Sequence, residues 1–181
     1  MASNAVRLVF MVVLTVLFSA GAGAASREEI NAEVRQALKE FKRHTSAGHE
    51  LSQKAAGILV FPSVVKAGIG VGGEYGEGAL LVGGKTVAYY NIAAASIGFQ
   101  LGAQARSEII LLMTEQALSK FRSSEGWKAG VDGSVALATL GAGGSVDTET
   151  AQKPIIGFIF SNKGLMYNLT FEGSKITKID R

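Results

Sequence analysis

From Val64 to Leu80 glycine recurs at positions 68, 70, 72, 73, 76 and 78 inside the run VVKAGIGVGGEYGEGAL. The alternation of Ala67, Ile69 and Val71 with Gly68, Gly70 and Gly72 has the two-residue period of a strand. A strand that shows glycine along one face can be approached there by another backbone, an aromatic ring or a helix. The whole chain holds 23 Gly in 181 residues and only 2 Pro, with no collagen period. That is about twice the usual ~7% of glycine, so the excess calls for a local structural reason, and close packing across this strand is the reason the pattern predicts.

The length fits one domain. Charged residues make up 18% of the chain against 48% hydrophobic, and the formal net charge is +3, which excludes both a disordered chain and a dedicated nucleic-acid binder. The absence of Cys removes disulfides, thiolate metal sites, a cysteine nucleophile and a lipidated cysteine. Arg7, the apolar run Leu8 to Phe18 and the small-residue stretch SAGAGAA follow the plan of a secretory signal peptide. As a helix that apolar run would reach roughly 16 Å, about half the ~30 Å of a bilayer interior, so a membrane span is disfavoured. Cleavage is expected after Ala24, with Ala22 as the near alternative, giving a signal peptide over residues 1–24 and one domain over 25–181. It removes only Arg7 among the charges, taking 18 Lys plus Arg to 17 against 15 Asp plus Glu.

Ser26-Arg27-Glu28-Glu29 is a capping box and predicts a helix start. Ile30, Val34, Ala37, Leu38 and Phe41 then share one face, with Glu28, Arg35, Lys39 and Arg43 opposite. The helix is predicted to break over Thr45 to Gly48, with a second short helix over His49 to Ala55. A short strand is predicted over GILVF ending at Pro62, the glycine-rich strand after it, and a hairpin turn at Gly83-Gly84 leading into Lys85 to Tyr90. Ser96 to Gln104 and Glu108 to Met113 read as strands and Thr114 to Phe121 as a helix capped by Thr114. Ile155 to Phe160 and Leu165 to Phe171 form a predicted hairpin, and Lys175 to Ile179 a last strand. The sum is an α+β fold, a mostly antiparallel, glycine-rich sheet curled into a sandwich or barrel with two or three short helices.

The chemical motifs fail on context. Gly68-Ile69-Gly70-Val71-Gly72-Gly73 matches a dinucleotide fingerprint, yet Glu74-Tyr75-Gly76-Glu77-Gly78 cannot open the helix such a site needs. Gly83-Gly84-Lys85-Thr86 echoes a P-loop but has Ala79 where the first Gly belongs. His49-Glu50-Leu51-Ser52-Gln53 lacks the second His of a zinc protease, and His44 is the one other histidine. No serine sits in a nucleophile elbow. Glu74 and Glu77 are expected to lie on a solvated edge. Neither an enzyme nor a cofactor or metal site is expected. Asn168-Leu169-Thr170 fits a glycosylation sequon inside a predicted strand.

Ile58-Leu59-Val60-Phe61-Pro62, Lys66-Ala67-Gly68 with Gly70, and Tyr75-Gly76-Glu77-Gly78 together resemble the signature of the SYLF domain family. Ser96-Ile97-Gly98-Phe99-Gln100, Glu108 to Met113 and Phe158 to Gly164 extend the resemblance to about residues 28–175. It marks Pro62, Gly68, Gly70, Tyr75, Gly76 and Gly78 as structural positions. It implies a non-enzymatic binder of phosphoinositides or other membrane lipids, with actin-filament binding in some fungal members and export in bacterial ones. The family's membrane-contacting segment corresponds here to Glu28 to Arg43. The resemblance thus implies contacts to anionic lipid headgroups or a membrane surface by Arg35, Lys39, Lys42, Arg43 and Lys66. Burial of Ile30, Val34, Leu38 and Phe41 in the core is expected over insertion into a bilayer. The competing expectations are an envelope scaffold or actin-regulator-like module with a protein partner, and a small outer-membrane β-barrel. The protein is expected in the periplasm or secreted, on a membrane at most peripherally.

Overall fold

The computed structural model describes residues 25–98, 103–138, 146–161, 164–165, 170–171 and 173–181. The leader expected over 1–24, the centre of the strand expected at Ser96 to Gln104, and Asn168 of the sequon lie outside the described residues. Within them the chain forms α1 (Arg27–His44), α2 (Ser46–Lys54), β1 (Gly57–Val82), β2 (Lys85–Gly98), β3 (Ala103–Leu112) and α3 (Glu115–Ser123). There follow β4 (Trp127–Lys128), β5 (Ala136–Leu137), α4 (Thr148–Ala151), β6 (Ile155–Ser161), β7 (Gly164–Leu165) and β8 (Lys175–Ile179). The fold is α+β, a mostly antiparallel curled half-barrel. The strands run in the order β4-β8-β2-β1-β3-β6-β5, with β7 on β6. β5 pairs with β6 in parallel.

β1 is a single strand where two were expected. It passes Pro62 through a bulge between Phe61 and Val64, a position that tolerates the missing N–H. Its first half pairs with β3, Gly57 opposite Leu112 to Ala67 opposite Ala103, and its second half with β2, Gly70 opposite Gly98 to Val82 opposite Lys85. The turn from β1 into β2 uses Gly83 and Gly84 at φ 57° and 76°, the left-handed pair that a two-residue hairpin requires.

This long strand folds back on itself. Lys66 and Glu74 would stand roughly 26 Å apart in straight strand, yet their side chains meet at 3.2 Å. A Cβ at Gly76 would lie 2.7 Å from the Ser63 carbonyl oxygen, and one at Gly78 2.0 Å from that of Val60. The close neighbour that the glycines admit is therefore the first half of their own strand.

Two apolar cores fill the two sides of the sheet. Leu59, Phe61, Leu80, Ile92, Ile110 and Leu112 pack with Leu118 and Phe121 of α3 and with Trp127. On the other side Val60, Ala79, Ile109, Leu111, Ile156, Phe158 and Phe160 pack under Ile30, Val34, Ala37 and Phe41 of α1. The Phe41 ring meets Phe158 edge-on at 4.7 Å. Asn31 ties α1 to β2, its Nδ2 donating to the Tyr89 hydroxyl and its Oδ1 accepting from Thr86, both at 2.8 Å.

The capping box forms as predicted, with the Glu29 N–H on Ser26 Oγ at 3.2 Å and the Ser26 N–H on Glu29 Oε2 at 2.8 Å. The helix break is tighter than predicted. Thr45 alone ends α1, and its Oγ1 accepts the Gly48 N–H at 2.8 Å, so α2 starts at Ser46 instead of His49. One helix beyond the expected two or three is present: Asp147 caps the short α4, a local hydrogen bond that apolar periodicity does not reveal.

Candidate functional site

Helix α1 presents two opposite surfaces. Its buried face is locked into the sheet, with Phe41 1% and Val34 1% exposed, while Leu38 is half-buried. Arg35, Lys39, Lys42 and Arg43 recur at helical spacing on the opposite side and all are exposed. None of the four makes an ion pair among the described residues. Two acidic side chains of the same helix, Glu33 and Glu40, lie elsewhere: with Gln36 they line a recess against Pro62, Ser63 and Ser107 at the β1 bulge. Toward the C-terminal half of the helix this leaves a basic stripe facing solvent, with the exposed Glu28 two turns before Arg35 on the same side.

Lys66 stands apart from that stripe. Its side chain is 19% exposed and is held by Glu74 at 3.2 Å. Arg106 also binds Glu74, and its Nε donates to Glu108 Oε1 at 2.8 Å. Glu74 and Glu77 do not form a solvated edge. They are 12% and 15% exposed and engage Lys66 with Arg106, and Arg181, respectively. The reason is the fold-back of β1, which turns Glu74 toward residues of β3 that no local pattern connects to it. Among the motif glycines and their neighbours, the Pro62 carbonyl accepts the Ser107 hydroxyl at 2.6 Å, and Gly68 and Gly70 lie within β1. The exposed Tyr75 donates its hydroxyl to Glu77 at 2.8 Å.

Glu108 is 2% exposed, and its Oε2 has no partner among the described residues. Burial pushes its carboxyl above the ordinary value, and the Arg106 charge only partly counters this. A carboxyl that binds its proton more tightly when folded stabilises the fold at low pH, and that contribution declines as pH rises above the unfolded-state value of about 4.5 toward the raised one. Glu108→Gln is accordingly expected to gain stability relative to the unsubstituted protein between pH 5 and pH 8 in paired thermal melts. A constant difference across that range would contradict the account.

No helix among the described residues is long and apolar enough to cross a membrane. Among those residues the sheet also stays open between β4 and β5, and it is packed with apolar side chains on both sides, unlike a lipid-facing barrel with a polar interior. The described residues thus form a filled half-barrel carrying a helix with exposed basic side chains. The model of the Ysc84 family, described as "Las17-binding protein actin regulator", matches residues 93–181, just under half of the chain, in agreement with the SYLF resemblance. The matched part runs from the middle of β2 through β8 and leaves out the glycine-rich strand. No curated protein matches the chain.

Proposed function

We propose that the protein is a non-enzymatic, exported module that settles on anionic membrane surfaces through the basic stripe of α1, after loss of residues 1–24. The observation that carries this reading is the exposure of Arg35, Lys39, Lys42 and Arg43 without an acidic partner among the described residues. Lys66, matched by Glu74, contributes less. Because the apolar face of α1 is spent on the sheet, attachment is electrostatic and reversible, without insertion of a helix into the bilayer.

Each basic residue near an anionic surface contributes about 1 kcal/mol. Replacing Lys39, Lys42 and Arg43 by Ala is therefore expected to lower partitioning of residues 25–181 onto anionic vesicles roughly 100-fold. Flotation at low and high salt checks it: binding should fall with salt and be absent on neutral vesicles. A protein that never floats on anionic vesicles refutes the membrane reading.

The family description favours a second reading, a protein partner of the kind an actin regulator engages. For an exported chain that partner would belong to the cell envelope. Chemical crosslinking in intact cells that couples the chain to one defined protein through α1, with no flotation, would establish it instead.

A further inference from the structure

Helix α3, the loop between β4 and β5 and the start of β6 enclose a cleft of about 420 Å³. Ala117, Trp127, Val135 and Ile155 give it an apolar floor, and Lys120 and Lys153 stand among its lining residues. At about 30 Å³ for each water-sized group, the space suits a ligand of roughly a dozen non-hydrogen atoms, and its size falls in the range of small-molecule sites.

The floor is held rigidly. Trp127 is 2% exposed, with the Phe121 ring 5.8 Å away on one side. On another, a Cβ at Gly133 would come within 3.0 Å of its Cζ2.

Among the residues that line the cleft two are cationic, Lys120 and Lys153, and one is acidic, Asp132. Lys120 makes no ion pair among the described residues. Lys153 meets only Glu149, which is 84% exposed, a contact that contributes little in water. Asp132 is held on the loop backbone, accepting the Lys128 N–H at 2.6 Å. Two cations, one without an ion pair and one in a solvent-exposed pair, therefore border an apolar pocket.

We propose that this cleft binds a small amphipathic carboxylate, its apolar body against Trp127 and Val135 and its carboxylate held by Lys120 and Lys153. The site is independent of the basic stripe, because α3 and Trp127 belong to the core on the side of the sheet opposite to α1.

Trp127 is the sole tryptophan of the chain, so its emission reports on this cleft alone. The full chain is titrated with decanoate below its micellar range, beside decanol and decyltrimethylammonium. A saturable change in Trp127 emission is expected with decanoate, at least tenfold weaker with the other two. Lys120→Ala with Lys153→Ala, both exposed positions, should weaken decanoate at least tenfold without shifting the thermal melt or the binding of decanol. The Lys39, Lys42 and Arg43 triple variant should titrate like the parent. Absence of a saturable change, equal binding of decanoate and decanol, indifference to the double substitution, or loss of the signal in the triple variant would each overturn the proposal.

Discussion

Gly78→Ala is expected to destabilise the domain by at least ~3 kcal/mol, although it adds a single methyl group. The added Cβ would lie 2.0 Å from the Val60 carbonyl oxygen and 2.8 Å from Phe61 Cδ1. The ring could turn, but the carbonyl belongs to the backbone of the facing half of β1, whose Val60 pairs with Ile109 of β3. Relief therefore requires the two halves of the strand to separate, which opens the core that contains Leu59, Phe61 and Leu80. At about 2–4 °C for each kcal/mol in a domain of this size, the melting temperature should fall by roughly 10 °C. Gly73→Ala is the matched control on the same strand. There the nearest atom to a Cβ is the Ala94 carbonyl oxygen at 3.7 Å, so stability should change by no more than about 0.5 kcal/mol. Equal melting of the two variants would show that the fold-back of β1 is not what glycine serves.

Arg106→Ala is expected to cost about 3–5 kcal/mol, the usual penalty for removing one partner from a buried ion pair. Arg106 is 9% exposed and bridges Glu74 and Glu108, so its loss leaves Glu108 buried with no counter-charge and Glu74 with Lys66 alone. The charge that lowers the Glu108 carboxyl would also be gone, and burial would then act without opposition. The defect should therefore shrink on acidification from pH 8 to pH 5, as Glu108 takes up a proton in the fold. Adding Glu108→Gln to Arg106→Ala should recover part of the loss at pH 8, because the two residues touch and their effects do not add. Denaturant unfolding of the two single variants and the double variant measures that coupling. Strict additivity, or a loss independent of pH, would refute the ion-cluster account.

Several parts of this architecture are legible in the order of the amino acids. The capping box at Ser26 and Glu29, the apolar stripe of α1, the Gly83-Gly84 turn, the Thr114 cap of α3 and the strand at Glu108 all depend on contacts within a few residues. Periodicity and side-chain chemistry report such contacts directly. The basic stripe is legible for the same reason, since Arg35, Lys39, Lys42 and Arg43 need only helical spacing to share a face. Thr45 is harder to place, because one residue serves both as the end of α1 and as the cap of α2. Lys66 can be singled out from the motif around it, but its partner cannot.

The division follows from the range of the forces. Local sequence determined where helices and turns start, that β1 must show a bare glycine face, and that one side of α1 stays charged. It left open what would press against that face. Tertiary structure decided that the first half of the same strand does so, which brought Lys66, Glu74, Arg106 and Glu108 into one ionic cluster and set Trp127 behind a lysine-bordered cleft. Those residues come from separate strands and loops, and only the bending of one long strand and the packing of α1 and α3 on opposite sides of the sheet place them together.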